Sequence, residues 1–183
     1  SIFKIPNIKI CFSNKEKNIT SRDDLEIFCD DTGLDSQKLI TVNQIHSSNV
    51  ILANSPGNYD GFDGIVNFGG RLVCVIKVAD CLPIYFVNSV SKTIGLLHAG
   101  WRGLSLGIIR KYLKKINEEV DGHLNTFALI GPSIQNCCFR VKEDVIHHFD
   151  SKFYSKINNK YFQVNLQKLA LSQILDSKIK VEN

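Results

Sequence analysis

The chain has 183 residues, of which 44% are hydrophobic and 22% charged, and its formal net charge is +4. These values are typical of a soluble globular protein, and the length predicts one domain, residues 1–183, with its own core. The basic residues are scattered and form no arginine-rich stripe, which argues against nucleic-acid binding. Because the sequence has neither an eighteen-residue apolar run nor a signal-peptide pattern, we expect no membrane association and a cytoplasmic location. The six cysteines are then expected as reduced thiols.

Segments typical of strands and helices alternate along the chain without linkers or repeats. The predicted strands are residues 8–12, 38–42, 50–53, 63–68, 72–79, 82–87, 93–97, 127–130 and 161–164. The predicted helices are residues 20–31, 104–120, 143–149 and 166–175. Residues 54–61 read as a loop, and Gly69-Gly70 predicts a hairpin. Strands outnumber helices, so we predict an α+β fold of layered mixed β-sheets with helices packed outside, in an α/β/β/α-like order.

Three short motifs contain the residues with the strongest chemical character. They are Gln44-Ile45-His46, Ala79-Asp80-Cys81 and His98-Ala99-Gly100-Trp101-Arg102-Gly103. His46, Cys81 and His98 are 35 and then 17 residues apart, which is too far for a local zinc knuckle but suits a site where strand ends converge. Two imidazoles and one thiolate would leave the fourth position of a tetrahedral metal open, as in catalytic zinc sites. Taken alone, a histidine at a strand end is more often a hydrogen-bonded surface residue than a ligand, and a lone cysteine is more often a buried apolar thiol.

The third motif leads directly into the predicted helix 104–120. Gly100 and Gly103 are expected to let the backbone turn sharply and approach a ligand. The free N–H groups of the helix N-terminus and the planar guanidinium of Arg102 together predict a phosphate site beside the metal. Asp63, which lies in a glycine-containing turn, is predicted either as a turn aspartate or as an acceptor for a substrate hydrogen bond.

Other candidate residues give a weaker signal. Six of these residues are expected either in the core or facing solvent: Cys11, Cys29, Cys74, His123, His147 and His148. Cys137 and Cys138 are adjacent, and adjacent cysteines form only strained disulfides, so two thiols near a pocket wall are expected.

Together the motifs resemble a known family, the laccase-domain proteins. This family was once named polyphenol oxidase and is now regarded as zinc-dependent purine nucleoside phosphorylases. The matching segments, in the family's order and approximate spacing, are Gln44-Ile45-His46, Asp63-Gly64-Ile65-Val66, Ala79-Asp80-Cys81-Leu82-Pro83, His98-Ala99-Gly100-Trp101-Arg102-Gly103, Ile130-Gly131-Pro132-Ser133 and Cys137-Cys138-Phe139. The resemblance implies that His46, Cys81 and His98 hold a catalytic zinc ion. From the residues themselves, we predict that Arg102 and Asp63 bind substrate.

The resemblance also implies an activity. The expected reaction is phosphorolysis of adenosine, inosine, guanosine and methylthioadenosine, with adenosine deamination at the same site, in a protein that we expect to be monomeric. Two departures from the family's pattern predict slow turnover: Arg140 stands where the family usually has glutamate, and the family's C-terminal arginine-containing segment is expected to be missing.

Two alternatives come from different classes of protein. A copper-dependent polyphenol oxidase needs more histidines than the five in this chain, although copper is an alternative occupant of the site. The other alternative is a catalytically weak metal- or nucleoside-binding regulatory protein.

Overall fold

The computed structural model describes residues 8–14, 19–69, 71–119, 125–177 and 180–181. The helices are α1 (Arg22–Thr32), α2 (Trp101–Ser105), α3 (Ile108–Glu119), α4 (Glu143–Ile146) and α5 (Leu166–Leu175), with short 3-10 turns at Ser36–Lys38 and Ser151–Phe153. The strands are β1 (Leu39–Asn43), β2 (Val50–Leu52), β3 (Gly57–Asp60), β4 (Gly64–Asn67), β5 (Val73–Val75), β6 (Leu82–Asn88), β7 (Thr93–Ala99), β8 (Thr126–Ile130), β9 (Arg140–Val141), β10 (Tyr154–Lys156), β11 (Phe162–Val164) and β12 (Lys180–Val181).

The largest sheet has six strands in the order β12-β8-β6-β7-β4-β2. Its centre is the antiparallel hairpin of β6 and β7, two long apolar runs. The turn between them is set by Asn88, whose side-chain oxygen accepts hydrogen bonds from the N–H groups of Val90 and Ser91, both at 3.0 Å. The β2–β4 and β8–β12 pairs are parallel and the other pairs antiparallel, so the sheet is mixed as predicted.

The layers follow from the alternation of side chains along the strands. In β4, Val66 joins the apolar cluster of the helices α3 and α5, whereas Ile65 joins a cluster with Ile40 on β1. The strands β3, β1 and β5 form a parallel three-stranded sheet on that second face. On its outer side, Leu39 packs with Leu25 of α1. This helix–sheet–sheet–helix order confirms the predicted α+β fold.

The long predicted helix is divided in two by Gly107. Gly107 has a φ of +76°, a left-handed conformation that ends α2, and its carbonyl then accepts from Lys111 at the start of α3. The predicted apolar face of α3 is confirmed, since Ile108, Ile109, Tyr112, Leu113 and Ile116 are all buried. The prediction of one helix from residue 104 is wrong, and its end at Val120 lies outside the described residues. The long helix therefore begins ten residues after His98 rather than beside it.

The predicted hairpin at Gly69-Gly70 is also wrong. The two strands lie in different sheets, because β5 pairs in parallel with β1 rather than with β4. Val73 and Val75 pack towards α1 while Cys74 packs towards the large sheet, so β5 is covered on both faces. Gly70 itself lies outside the described residues. The position of this half-buried strand is set by tertiary packing and not by the turn that precedes it.

Three further predictions differ from the structure. Residues 8–12 form no strand, and this segment is held by side-chain packing, with the rings of Phe12 and Tyr85 5.7 Å apart. The predicted loop 54–61 contains β3, a polar edge strand without apolar alternation. The short strands β9 and β10 were not predicted, because two or three residues carry no periodic signal. Among the described residues, no helix is both long and apolar enough to cross a lipid bilayer.

Helix α1 begins with a capping box at Ser21. The Ser21 side chain accepts a hydrogen bond from the N–H of Asp24, and the Asp24 carboxylate accepts from the N–H of Ser21. Hydrogen bonds from the backbone of Thr20 and then of Ser21 hold the pKa of Asp24 well below its usual range. At the other end, Gly33 is left-handed with a φ of +65°.

We expect Ser21→Ala to lower the free energy of unfolding by about 1 kcal/mol, because the first turn of α1 loses a capping acceptor. Urea unfolding measures this change. Ser13→Ala, at an exposed position in an irregular segment, is the control and should change stability by much less. An equal loss in both variants would show that α1 is not held by its cap.

Candidate metal centre

Strand ends bring the three motifs to one place. Cys81 immediately precedes β6, and His98 lies near the end of β7, where it pairs with Pro83 of β6. His46 arrives from the loop after β1, in the other sheet. The ligand atoms of His46, Cys81 and His98 all lie within 4.8 Å of one another. The sequence therefore predicted correctly that these residues meet; whether they bind a metal stays a prediction at this point.

Gln44 ties the His46 loop to the segment that leads to Cys81. Its side-chain amide donates to the carbonyl of Lys77 at 2.8 Å, and its side-chain oxygen accepts from the N–H of Lys77 at 2.7 Å. The side chain thus pairs with the backbone as a neighbouring strand would. This explains the glutamine of the first motif, whose role the sequence did not reveal.

Asp63 is the centre of the hydrogen-bond network beneath the cluster. It is fully buried, at 0% exposure, and its carboxylate accepts five hydrogen bonds. The N–H groups of Ile45, His46 and Ser47 donate at 3.3, 3.0 and 2.6 Å, and the Ser47 hydroxyl donates at 2.8 Å. The fifth donor is Nδ1 of His98, at 2.8 Å. One carboxylate therefore positions two of the three candidate ligands.

This arrangement corrects the prediction that Asp63 binds substrate. Both carboxylate oxygens are engaged by protein donors and none of the side chain is exposed, so no face remains for a ligand. Its backbone is engaged too, because the Asp63 carbonyl accepts from the N–H of His98 at 2.7 Å. The turn aspartate considered as the alternative is the better description.

His46 has an unusual backbone conformation, with a φ of +58°. A left-handed conformation costs a non-glycine residue on the order of 1 kcal/mol. Here it turns three successive N–H groups, those of Ile45, His46 and Ser47, towards one carboxylate, an anion-binding concavity of the kind called a nest. The Asp63 carboxylate thus stabilises the strained conformation that presents the His46 imidazole.

The electrostatics of the Asp63–His98 pair fix the tautomer of the histidine. Burial would raise the pKa of Asp63, but hydrogen bonds from His98, Ser47 and Ile45 outweigh it and hold the pKa below its ordinary value. Burial lowers the pKa of His98 in spite of the nearby carboxylate. The pair is therefore an ionised carboxylate and a neutral imidazole that donates from Nδ1. This leaves the lone pair of Nε2 free, the second-sphere arrangement found in metal sites.

The three candidate ligands differ in their exposure and acidity. His98 is 3% exposed, Cys81 is half-buried and His46 is exposed, so the cluster opens on the side of His46. Burial, followed by the negative charges of Asp80 and Asp63, raises the pKa of the Cys81 thiol. A cation at the cluster would have to displace this proton, because the thiolate is the form that binds metals.

Gly100 and Gly103 allow close packing around the cluster. A Cβ atom on Gly100 would lie 2.8 Å from Sγ of Cys81, and one on Gly103 would lie 2.9 Å from the carbonyl oxygen of Ser47. Neither glycine has a positive φ. The expectation of close backbone approach is thus met, but the expectation of a special turn is wrong, because Gly100 has an ordinary extended conformation.

We expect Gly100→Ala to weaken metal binding at the cluster by about tenfold or more, since the new methyl group must push aside the Cys81 sulfur. Competition with a chromophoric chelator measures the affinity. Gly57→Ala is the matched control, because its Cβ would make only an ordinary contact of 3.6 Å with the Tyr59 ring. Unchanged affinity in Gly100→Ala would mean that the sulfur does not bind the metal from this position.

Arg102 lies in the first turn of α2 and is exposed. Its guanidinium carbon is 4.3 Å from the centre of the Trp101 ring, a cation–π contact. Trp101 in turn packs on His148, with ring centres 5.4 Å apart. Because α2 has only five residues, the expected anion site at the N-terminus of a long helix is not formed at this point. The guanidinium remains the feature of this segment that suits a phosphate group.

None of the other candidates in the described residues belongs to the cluster. Cys29 is fully buried, Cys11 and Cys74 are half-buried, and all six cysteines are free thiols. His147 and His148 are exposed, Arg140 is an exposed residue of β9, and His123 lies outside the described residues. Cys137 and Cys138 are exposed with their sulfur atoms 3.0 Å apart. Across the described part of the chain, only His46, Cys81 and His98 form a group of three or more such side chains that could hold a metal ion.

The fold and the cluster define the chain as an α+β protein with a His-Cys-His group that could hold a metal ion. A family model described as multi-copper polyphenol oxidoreductase laccase matches residues 3–183. The chain belongs to this family, which confirms the resemblance seen in the sequence motifs.

Relatives of the chain carry a different name. A purine nucleoside phosphorylase of Rickettsia prowazekii (strain Madrid E) is 33% identical over 131 residues, which are 71% of this chain and 52% of the relative. A purine nucleoside phosphorylase of Borreliella burgdorferi is 30% identical over 128 residues, 69% of this chain and 56% of the relative. The chain thus spans about half the length of these curated relatives.

A solved structure shares the fold. The crystal structure of the hypothetical protein YfiH of Bacillus licheniformis is similar with a TM-score of 0.80 at 20% sequence identity. The similarity covers 88% of this chain and 69% of that chain.

Proposed function

We propose that this chain carries the zinc site of a purine nucleoside phosphorylase that acts on adenosine, inosine, guanosine and methylthioadenosine. The observation that carries the proposal is the convergence of His46, Cys81 and His98 within 4.8 Å, open on the side of the exposed His46. The relatives named purine nucleoside phosphorylase support the reaction class. As a second activity at the same site we propose adenosine deamination. A cytoplasmic, monomeric protein remains our expectation.

The residues fit a zinc ion better than other common metals. Two imidazole nitrogens and one thiolate are borderline and soft donors, which suit zinc and disfavour magnesium or calcium. The Nε2 lone pair of His98 is available because Nδ1 bonds to Asp63, and the missing side chain of Gly100 lets its backbone lie close to Sγ of Cys81. When bound, a metal with three protein ligands supplies a Lewis acid with one open position. Copper is also compatible with imidazole and thiolate, so it is the alternative occupant.

In phosphorolysis a bond forms between a phosphate oxygen and C1′ of the ribose, while the bond from C1′ to the purine nitrogen breaks. The departing purine takes a proton, and positive charge develops on the sugar in between. The protein must therefore orient a dianion next to the sugar and exclude competing water. We assign the phosphate to the guanidinium of Arg102, which can hold two oxygens by parallel hydrogen bonds. Its stacking on Trp101 limits the orientations of the guanidinium plane before phosphate arrives.

Product analysis tests the reaction class. Purified protein is incubated with inosine in the presence and absence of phosphate, and with adenosine under the same conditions. We expect hypoxanthine and ribose 1-phosphate from inosine only when phosphate is present, and inosine with ammonia as the mark of deamination. Release of free ribose without phosphate would make the enzyme a hydrolase. No turnover with either nucleoside would contradict the proposal.

Metal analysis tests the site independently of turnover. We expect about one zinc per chain, because a His2Cys set closes a single tetrahedral site. Cys81→Ala and His98→Ala should each lose the metal, as measured by elemental analysis after dialysis. Cys137→Ala, which removes an exposed thiol outside the cluster, is the matched control and should keep it. Full zinc retention in either cluster variant would refute the ligand assignment.

The description of the family names a multi-copper oxidase, but no contact in the described residues favours one. A multicopper centre needs several clusters of imidazole ligands, whereas the described part of the chain holds one three-residue cluster. Aerobic oxidation of a phenol after copper loading is the corresponding test. Oxidation that depends on Cys81 would replace zinc chemistry with copper chemistry at this site.

A further inference from the structure

A second site of distinct chemistry lies on the exposed side of α3. A surface pocket of about 280 Å³, open to solvent and called the cavity below, is lined there by Lys111, Lys114, Lys115 and Glu118 of the helix. Its other wall is formed by Asn49 and Phe62, from the loops before β2 and β4. None of the three candidate metal ligands lines it.

The charges around this cavity are poorly balanced. Three lysines and one glutamate leave a net charge of +2 on the wall. The distance between Lys114 and Glu118 is 3.8 Å, and both side chains are more than half exposed, so their ion pair is weak. For Lys111 and Lys115 no ion pair occurs among the described residues.

The position of the lysines on the helix makes this imbalance unfavourable without an anion. Lys111, Lys114 and Lys115 are three and four residues apart, so they share one face of α3 and repel one another. Lys115 is also half-buried, which reduces the screening of its charge by water. An anion with two negative charges would neutralise the wall and relieve the repulsion.

The residues of the opposite wall suit a planar ring. Phe62 is half-buried and offers an aromatic surface. Asn49 is held in place because its side-chain amide donates to the carbonyl of Gly61 at 3.0 Å. A planar ring can stack on the phenyl group while a phosphate reaches the lysines.

We propose that this cavity binds a phosphate monoester that carries a planar base, with the phosphate between Lys111 and Lys115 and the base on Phe62. The site is additional to the proposed phosphorylase centre and does not depend on it. The two are joined through the backbone, because the carbonyl of Asn49 accepts from the N–H groups of Asp63 and Gly64 at 2.9 and 3.1 Å. A ligand at Asn49 therefore contacts the loop that positions the metal cluster.

Titration with adenosine monophosphate tests the proposal, with adenosine and inorganic phosphate as separate arms. We expect the monophosphate to bind more tightly than either arm, and its affinity to fall with added salt because Lys111 and Lys114 are exposed. The double variant Lys111→Gln/Lys115→Gln should weaken binding by about tenfold or more, which corresponds to about 1.4 kcal/mol. Arg110→Gln/Lys92→Gln is the control, since it removes the same charge from exposed residues that do not line the cavity.

Further measurements locate the bound ligand. Amide shifts in an NMR titration should cluster at Asn49 and Phe62, and Phe62→Leu should weaken the monophosphate but not inorganic phosphate. Cys81→Ala should bind the monophosphate as the wild type does, even if phosphorolysis is never observed. The proposal would be overturned if the two double variants weakened monophosphate binding equally. It would also be overturned if Cys81→Ala lost this binding while the lysine variant kept it. A single-stranded hexanucleotide that binds more than tenfold tighter than the monophosphate would assign the lysines to nucleic acid instead.

Discussion

Asp63→Asn is expected to destabilise the protein by about 3 kcal/mol and to weaken metal binding by about 10- to 100-fold. The amide keeps the shape of the carboxylate but turns one acceptor oxygen into a donor. In the wild type, five donors point at the Asp63 carboxylate. In the variant, the donors that face the new NH2 group would be buried without an acceptor. The His46 loop then loses the anion that compensates its left-handed backbone, and His98 loses the bond that fixes its tautomer.

The ionisation of Asp63 also predicts how the stability of the protein changes with pH. The pKa of Asp63 in the folded protein lies below its ordinary value of about 3.9. Its stabilising contribution is therefore fully present above the pKa of the unfolded chain and is lost as the pH falls through the lower, folded pKa. We expect the wild type to lose stability in this acidic range and Asp63→Asn to lose less.

Urea unfolding at several pH values and chelator competition measure the two effects of the Asp63 substitution. Asp60→Asn removes one negative charge from an exposed residue at the end of β3, three residues earlier, and is the matched control. A variant Asp63→Asn that is as stable as Asp60→Asn and binds metal equally well would show that the buried network does not position the ligands.

The elements that could be predicted from the sequence are those with a local signal. Helix α5 has the predicted bounds, because Asn165 caps its start and its apolar residues recur with the helical period. The hairpin of β6 and β7 follows from two apolar runs around Asn88. By contrast, the partner of β5 is β1, more than thirty residues away, and no local pattern contains that pairing.

The candidate site, too, has features that the sequence predicted and features that it did not. Motif order and resemblance to the family brought His46, Cys81 and His98 together in the prediction, and the structure places them together. The role of Asp63 could not be predicted, because it depends on the positive φ of His46 and on three N–H groups from another loop. Gly100 was assigned to a turn because glycine is permissive in φ, whereas the structure requires it for the contact with a sulfur atom.

The remaining prediction concerns Arg102 and separates phosphate binding from nucleoside binding. If the guanidinium holds phosphate, Arg102→Ala should lower turnover at limiting phosphate by about 100- to 1000-fold, the usual cost of one preorganised donor. The KM for phosphate should rise far more than the KM for inosine, because the nucleoside does not contact this side chain in the proposed arrangement. Steady-state kinetics with each substrate varied in turn gives both constants.

Arg102→Lys makes the test specific to the shape of the guanidinium. A lysine ammonium can still lie over the Trp101 ring, so the packing that orients residue 102 is kept. It cannot make two parallel hydrogen bonds to one phosphate, so we expect only partial recovery of the phosphate KM. Arg110→Ala, an exposed arginine on α3, is the control for lost charge and should leave both constants near their wild-type values. Equal changes in both KM values for Arg102→Ala would instead assign Arg102 to packing against Trp101, and the phosphate would have to be held by other residues.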